Sequence, residues 1–359
     1  MALIYREQQD VWQYLAQTEK PVVLYGTGNG ADKLFRVFEH YGIKVADIFV
    51  SDEFYRNQEF CGYQCLTYAE TCEKYEDCIV VLAFAVFRDD MMKRIREISQ
   101  RYEVLAPEVP VFGTDYFCMD TLDLYKSEIQ QVYDLLADDT SKEVFRLLME
   151  YKISGKVEYL YQCETPREEV FQNIIHLDHQ ESYLDLGAYR GDTVEEFLSQ
   201  TGAQFDSIYA LEPDAKNYKK MVETFSALEA KGQDISRIHS YNLASWCDQR
   251  VISFDGGGGR NSNIGEGKFT VHTTDIDSLL PDTKITYCKM DVEGAEKETI
   301  QGMEQVLKTW KPKLAVSAYH RTGDLFTLPL QILSINPNYK LYVRHHPYIP
   351  AWETNLYLI

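Results

Sequence analysis

Carboxylates and glycines follow three short apolar segments of the sequence, and they are the residues with the clearest capacity for chemistry. They are Gly187, Gly191 and Asp192 after the first segment, Glu212 after the second, and Asp291 and Glu293 after the third. Short apolar segments of this kind indicate buried strands of a parallel sheet. Because ligands bind outside the carboxyl ends of the strands in such a sheet, we expect these groups to surround one pocket.

The turn after the first segment favours a nucleotide without phosphates. Gly187 and Gly191 have the spacing Gly-x-x-x-Gly, which differs from the Gly-x-Gly-x-x-Gly of pyrophosphate-binding turns. Asp192 places a negative charge at the start of the following helix, where a phosphate would otherwise bind. Glu212 lies 25 residues beyond Gly187, close to the spacing at which an acid binds ribose hydroxyls.

Asp291, Glu293 and His320 are the candidates for acid–base chemistry. Asp291 and Glu293 are two residues apart at the end of a predicted strand, so both carboxylates face one side while the chain stays extended. Such a pair could split its pKa values or share a cation. His320 follows another β-rich segment and is predicted to lie over the same edge as a base near neutral pH. An N-cap role for Asp291 and a surface position for His320 are the simpler alternatives.

Hard oxygen ligands suited to magnesium or calcium also occur in this part of the sequence. They are Asp275, Asp277, Asp291 and Glu293. Their positions follow no dedicated metal-binding spacing. A divalent metal is therefore compatible with the sequence but not favoured, and no metal ligand is predicted.

These segments resemble the FkbM-type family of S-adenosylmethionine-dependent methyltransferases. The resemblance rests on LDLGAYRGDT, ALEPD, TTDID, KMDVEGAE and the tail from SAYHR to ETNLY, which occur in family order over the last half of the chain. It implies an O-methyltransferase that acts on a hydroxyl of a sugar, glycoconjugate or related secondary metabolite. The sequence departs from the commonest family turn at Tyr189 and Arg190, where smaller or polar residues often stand.

The resemblance also implies which residues bind the S-adenosylmethionine cofactor. The predicted set comes from the glycine turn and the strand ends beside it, and comprises Asp185, Gly187, Ala188, Tyr189, Gly191, Asp192, Thr193, Glu212, Pro213, Asn242, Ala244 and Asp291. Asn242 and Ala244 belong to it because residues at this place in the family flank the adenine.

Four further residues are predicted to bind the acceptor: Ser262, Tyr319, Arg344 and Glu353. Ser262 belongs to a glycine-rich segment, 256–267, which is either a flap over the acceptor or a flexible hairpin tip. Arg344 and Glu353 lie in an aromatic C-terminal segment whose rings would suit a hydroxyl-rich ring, and the resemblance extends to both positions. Ordinary core packing is the alternative for those aromatic residues.

The N-terminal part carries a second turn of nucleotide-binding type. Gly26–Ala31 follows a predicted strand and matches the dinucleotide fingerprint, and Asp52 stands where an acid could bind ribose. A docking or recognition domain without a working nucleotide site is the favoured interpretation. The alternatives are a NAD-linked oxidoreductase and a nucleotide-sugar-binding protein that use this turn, or an assembly protein with a vestigial cofactor site.

Together these elements predict an α/β protein with two Rossmann-like sheets. We expect a smaller N-terminal α/β domain over residues 1–115 and a helical bridge over 116–165. The Rossmann-like methyltransferase sheet, with helices on both faces, is expected over 166–359.

Composition limits the partners and the compartment. A formal net charge of −20 argues against nucleic acid, which binds through lysine and arginine. The eight cysteines form no Cys-x-x-Cys pair, and the sequence shows neither a signal-peptide core nor an apolar run of membrane-spanning length. We therefore expect a cytoplasmic protein with no membrane partner, acting on a small-molecule or glycan acceptor. The oligomeric state is left open.

Overall fold

The computed structural model describes residues 3–255, 263–264 and 269–359. Its N-terminal helices are α1 (Val11–Gln17), α2 (Asn29–Tyr41), α3 (Tyr68–Lys74) and α4 (Asp89–Ser99), and a short 3-10 helix covers Asp52–Phe54. The strands are β1 (Val22–Tyr25), β2 (Val45–Phe49), β3 (Glu59–Phe60), β4 (Tyr63–Gln64), β5 (Ile79–Leu82) and β6 (Glu103–Leu105). Strands β2, β1, β5 and β6 form a parallel sheet in that order.

The predicted dinucleotide turn after β1 is closely covered by the loop after β5. A Cβ atom on Gly30 would overlap the carbonyl oxygen of Ala83, and one on Gly26 would lie 2.6 Å from the ring of Phe84. Both β1 and β5 are buried along their whole length, as central strands of a parallel sheet are. Gly26 and Gly30 therefore serve a close approach between two loops of the protein itself.

Helices dominate the middle of the chain. They are α5 (Met119–Leu124), α6 (Lys126–Leu135), α7 (Asp139–Ser154), α8 (Val157–Cys163) and α9 (Arg167–Val170), followed by a π-helical turn at Phe171–Ile175. Helix α7 begins at the N-cap Asp138, whose side chain accepts a hydrogen bond from the backbone N–H of Ser141. Most of α7 is buried, so it packs between the two sheets rather than on the surface.

The C-terminal part contains a seven-stranded sheet and a smaller four-stranded one. The strands of the larger sheet are β7 (Ser182–Leu186), β8 (Ser207–Leu211), β9 (Ile238–Tyr241), β14 (Tyr287–Met290), β15 (Lys313–Ser317), β16 (Leu341–His345) and β17 (Thr354–Leu358). Those of the smaller sheet are β10 (Ala244–Ser245), β11 (Val251–Asp255), β12 (Asn263–Ile264) and β13 (Phe269–Thr274). The helices of the C-terminal part are α10 (Asp192–Gln200), α11 (Ala215–Ala230), α12 (Ile276–Leu279), α13 (Glu296–Gln301), α14 (Glu304–Thr309) and α15 (Asp324–Ile335).

The order of the seven strands creates a crevice beside β7. The spatial order is β16, β17, β15, β14, β7, β8 and β9; β7, β8, β9, β14 and β15 are parallel, and β17 is antiparallel to both of its neighbours. From β7 the chain first builds outward on one side and then returns to add β14 on the other. Ligands bind at such a reversal of strand order. The predicted α/β class with a parallel sheet is confirmed.

Two loops of the N-terminal part contact the C-terminal part next to this crevice. Val86 and Ile349 exchange two backbone hydrogen bonds of 2.6 and 2.8 Å, and the ring of Phe87 stacks on Tyr348 at 5.5 Å. Farther along, the backbone N–H of Phe112 donates to the carbonyl oxygen of His320 at 2.9 Å. The exact domain boundaries stay a prediction, but the two parts meet through specific polar and aromatic contacts. Among the helices of the described residues, none has the length and apolar character needed to cross a membrane.

Candidate active site

A cavity of about 250 Å³ opens at the carboxyl ends of β7, β8, β14 and β15. Most of the residues that the sequence singled out line it. These are Gly187, Tyr189, Asp192, Thr193, Glu212, Pro213, Ala244, Asp291, Glu293, Tyr319 and Glu353. The structure thus brings together the ends of the three apolar segments, as their order in the sequence predicts.

The glycine turn is shaped by close contact with the loop after β14. Gly187 has a φ of +84°, and a Cβ atom there would overlap the carbonyl oxygen of Asp291. A side chain at this position is therefore excluded both by the backbone conformation and by space. Tyr189, with a φ of +47°, also lies in the left-handed region. Such conformations in non-glycine residues concentrate at functional sites.

Asp185 supports the turn from below instead of lining the cavity. Its side chain is fully buried, and the hydroxyl of Thr193 donates to its Oδ2 atom. The second oxygen, Oδ1, has no hydrogen-bond partner among the described residues. Burial raises the pKa of Asp185 to about 6, although Lys289 opposes this shift. Ala188 is likewise buried and donates its backbone N–H to the carbonyl oxygen of Leu211, which fixes the course of the turn.

Glu212 joins two turns of the site. Its carboxylate accepts the backbone N–H of Tyr189 at 2.9 Å and that of Asp214 at 2.8 Å, and it borders the cavity. Burial raises its pKa to about 8, against the effect of these two hydrogen bonds. Asn242 acts on the same segment from outside the cavity, because its amide donates to the carbonyl oxygens of Glu212 and Pro213. The structure therefore assigns Asn242 a supporting position, in contrast to the predicted cofactor contact.

The loop after β14 carries the predicted acids. Asp291 accepts hydrogen bonds from Lys289 Nζ at 3.3 Å and from the Tyr319 hydroxyl at 3.2 Å. Burial would raise the pKa of Asp291, but Lys289 and His320 lower it to about 2. Glu293 has a left-handed φ of +55°, and burial raises the pKa of its carboxyl group. Asp291 and Glu293 both face the cavity, as predicted.

His320 is not where the sequence placed it. It is fully buried behind Asp291 and Glu293 and does not belong to the residues that border the cavity. Burial lowers the pKa of its imidazole, but the carboxylates of Glu296 and Glu293 outweigh burial and raise this pKa well above its ordinary value. Because His320 lies behind the two acids and does not border the cavity, the geometry does not favour it as a base that removes a proton from an acceptor.

Arg344 also lies away from the cavity, because its neighbours in β16 and α7 enclose it. The guanidinium is 2% exposed, pairs with Asp138 at 2.8 Å and Glu169 at 3.1 Å, and donates to the hydroxyl of Ser141 at 2.8 Å. The predicted acceptor contact is thus replaced by an ion pair that holds α7 against the sheet. Gly191 does not border the cavity either. It is the N-cap of α10 and lies against Phe225, so it supports the glycine turn. Ser262 lies outside the described residues, as does the rest of its glycine-rich segment apart from Asn263 and Ile264.

Two basic residues of the cavity escaped the sequence analysis. Lys289 points from β14 to the same side as Asp291, and a charged residue two positions earlier in an apolar strand was the available signal. Arg167 at the start of α9 binds Glu353 with a 2.6 Å contact and lies 3.6 Å from Glu196. No local pattern in the sequence identifies Arg167, because its partners lie far away along the chain.

Two adjacent histidines beside the cavity predict a specific loss of stability in acid. His345 is fully buried and His346 is 4% exposed, and burial lowers their pKa values to about 3 and about 4. The unfolded chain binds these protons near pH 6.5, so below that pH it holds more protons than the folded chain. Stability should therefore fall by about 1.4 kcal/mol per pH unit for each histidine as the pH drops from about 6.5 towards 4.

The variant His345→Asn tests this expectation, because asparagine can keep the hydrogen bond that Nδ1 makes with Thr354 but cannot take up a proton. Chemical denaturation at several pH values should give a shallower decline of the unfolding free energy for the variant than for the wild type. Above pH 7.5 the unfolding free energies of the variant and the wild type should change with pH in the same way. Parallel declines in the two proteins at low pH would show that His345 takes no part in the acid sensitivity.

Comparison with known proteins identifies the domain that holds this cavity. Residues 185–342 match the family model described as the methyltransferase FkbM domain. This part of the chain is an FkbM methyltransferase domain. It contains the glycine turn, Glu212, Asp291, Glu293 and His320, so the family match and the cavity coincide. The predicted family and enzyme class, a methyltransferase of an S-adenosylmethionine-dependent family, are confirmed.

Solved structures extend the likeness in fold beyond this domain. A methyltransferase FkbM from Methylobacillus flagellatus matches with a TM-score of 0.73 at 21% identity, over 95% of this chain and 90% of that chain. Its fold therefore includes the N-terminal sheet as well. A precorrin-6y C5,15-methyltransferase from Geobacter metallireducens matches over 51% of this chain and 80% of that chain, at 13% identity and a TM-score of 0.31. The search of curated proteins gave no match.

Proposed function

We propose that the cavity binds S-adenosylmethionine between the glycine turn and Glu212, and that the enzyme methylates a hydroxyl of a sugar, glycoconjugate or related secondary metabolite. The observation that carries this proposal is the meeting of Gly187, Glu212 and Asp291 at one edge of the sheet inside an FkbM methyltransferase domain. When bound, S-adenosylmethionine supplies a methyl group activated by a sulfonium centre. Binding of both substrates, alignment of the acceptor oxygen and removal of its proton are functions of the protein.

The charge and shape of the cavity fit a cationic cofactor. Among the described residues that line it, six are acidic and two are basic, and the acidic ones are Asp192, Glu196, Glu212, Asp291, Glu293 and Glu353. Such a surplus repels phosphates and attracts a sulfonium or an ammonium group. Glu212 retains acceptor capacity for ribose hydroxyls, since each carboxylate oxygen has two lone pairs and the structure uses one on each oxygen. At Gly187, where the backbone approaches the carbonyl oxygen of Asp291, the wall of the cavity carries no side chain.

The opposite wall suits a hydroxyl-rich acceptor. Its aromatic members are Tyr319, Tyr348, Trp352 and Tyr357, and Asn355 and Glu353 add polar groups. The indole N–H of Trp352 is buried and has no hydrogen-bond partner within the described part of the chain. An acceptor oxygen would satisfy this donor, whose burial is otherwise unfavourable. Aromatic faces with polar groups at their edges are typical of binding sites for rings that carry hydroxyls.

Methyl transfer requires that the acceptor oxygen be aligned and relieved of its proton while water is excluded. Asp291 and Glu293 lie between the cofactor turn and the aromatic wall, which supports a role at the acceptor oxygen. Lys289 and Tyr319 hold the Asp291 carboxylate in place from two sides. We assign Glu293 the removal of the proton, because its carboxylate borders the cavity and has no lysine or arginine partner in the described ranges.

The decisive test measures cofactor binding and product formation in the full chain. Isothermal titration should show one S-adenosylmethionine per chain, and incubation with a panel of sugars and glycosides should release S-adenosylhomocysteine with one methyl group added to the acceptor. Mass spectrometry of the acceptor identifies the oxygen that carries it. Binding of NAD without binding of S-adenosylmethionine would overturn the proposal in favour of the N-terminal turn.

A further inference from the structure

The imidazole of His320 lies within a ring of three carboxylates. On one side, its Nε2 atom lies 3.4 Å from Glu293 Oε2 and 3.5 Å from Asp291 Oδ1. On the other side, its Nδ1 atom lies 2.9 Å from Glu296 Oε1. The ligand atoms that Asp291, Glu296 and His320 offer all lie within 4.8 Å of one another. Oxygen and nitrogen donors converge here at separations of the size found around a metal ion.

The hydrogen bonding of the cluster is incomplete. His320 is 0% exposed, yet neither ring nitrogen makes a hydrogen bond of acceptable geometry with any described residue. The Oε2 atom of Glu296, a residue only 1% exposed, is also without a partner in the described chain. Buried polar atoms in native proteins are nearly always satisfied, so a buried imidazole aimed between carboxylates without a hydrogen bond points to a ligand.

We propose that this cluster binds a divalent cation through Asp291, Glu296 and His320, whose ligand atoms all lie within 4.8 Å of one another. Metal–ligand bonds of about 2.0–2.2 Å place tetrahedral ligands about 3.3–3.6 Å apart, and the 3.5 Å between His320 Nε2 and Asp291 Oδ1 agrees with this separation. One imidazole with carboxylates suits a first-row transition ion such as Mn²⁺ better than calcium.

The position of the cluster gives the cation a role, which rests on the proposed methyl transfer. Asp291 and Glu293 border the cavity, whereas His320 and Glu296 lie behind them. A cation between them would face the acceptor and bind its hydroxyl oxygen. This would lower the pKa of the hydroxyl and stabilise the negative charge that forms when the proton leaves. Glu293 borders the cavity and is not one of the three proposed ligands, so it could still accept that proton.

Mn²⁺ binding to the full chain tests the proposal directly. Protein stripped with a chelator is titrated with Mn²⁺ in the absence of cofactor and acceptor, and free Mn²⁺ is followed by electron paramagnetic resonance. One Mn²⁺ per chain is expected. Asp291→Asn, Glu296→Gln and His320→Ala should each weaken binding by at least about 10-fold, because each removes one of the three proposed ligands.

Glu298→Gln is the matched control, since Glu298 lies on the same helix as Glu296 but outside the cluster. It should bind Mn²⁺ like the wild type. Circular dichroism checks the fold of every variant, and if His320→Ala does not fold, the partly exposed Asp291 decides the outcome through Asp291→Asn. Absence of Mn²⁺ binding, or equal binding by Asp291→Asn and Glu298→Gln, would overturn the cation site. Because no turnover is measured, that result would leave the methyltransferase proposal standing, and loss of cofactor binding alone would leave the cation site standing.

Discussion

Glu212→Ala is expected to weaken the binding of S-adenosylmethionine by about 100-fold or more. The variant leaves two ribose hydroxyls without the side chain placed to bind them, and each buried hydrogen-bonding group left unsatisfied costs about 1–3 kcal/mol. Since about 1.4 kcal/mol corresponds to a tenfold change in affinity, two such groups account for a loss of this size. The backbone N–H groups of Tyr189 and Asp214 also lose their acceptor, which loosens the glycine turn. Isothermal titration of the full chain measures the effect.

Glu195→Ala provides the control for this experiment. Glu195 is an exposed acid on α10, one helical turn from the same glycine turn, and its removal should leave the affinity unchanged. Glu212→Gln keeps the size of the side chain but only one acceptor oxygen, so its affinity should lie between those of the wild type and the alanine variant. Wild-type affinity in Glu212→Ala would show that the cofactor binds elsewhere.

Glu293→Gln is expected to slow methyl transfer by about 10²–10⁴-fold at saturating cofactor, the usual contribution of a positioned acid or base. Glutamine preserves the shape of the side chain but cannot accept a proton. The affinity for S-adenosylmethionine should change little, because the cofactor turn and Glu212 are untouched. Single-turnover rates together with titration of the cofactor separate the two quantities.

Glu353→Gln gives a useful contrast on the acceptor side of the same cavity. Glu353 is held by Arg167 and lines the aromatic wall, so its loss should raise the KM for the acceptor more than it lowers kcat. If Glu293→Gln behaved in the same way, with a normal kcat and a raised KM, Glu293 would be a binding residue and not the proton acceptor. A normal kcat and KM in Glu293→Gln would remove it from the mechanism.

The parts of the site that the sequence predicts are those that depend on strand ends. Gly187, Glu212 and Asp291 each follow an apolar segment directly, and parallel strands bring their carboxyl ends to one edge whatever the details of packing. The close approach at Gly187 also follows from the residue type, because only glycine tolerates both the positive φ and the neighbouring carbonyl oxygen. Local sequence therefore predicts the side of the cavity that we propose binds the cofactor.

The remaining assignments depend on contacts between residues that are distant in sequence. Arg344 stands in an aromatic segment that suits an acceptor, but Asp138 and Glu169, which lie 206 and 175 residues away along the chain, enclose its guanidinium. His320 lies behind the two acids because the loop after β15 turns inward, and its partner Glu296 comes from a separate helix. Neither strand spacing nor residue type reveals such pairings. Arg167 could not be predicted either, because its ion pairs connect α9 to α10 and to the segment before β17, which are distant in sequence.

Two loops of the N-terminal part make backbone hydrogen bonds to segments that border the cavity or lie behind it. Val86 is bonded to the segment that carries Tyr348 and Trp352, and Phe112 is bonded to the backbone of His320. The outer rim of the cavity is thus braced by residues that precede the family domain by some seventy to a hundred positions. Under the proposed function, we expect substitutions at these two N-terminal contacts to alter which acceptor fits while the affinity for the cofactor stays unchanged.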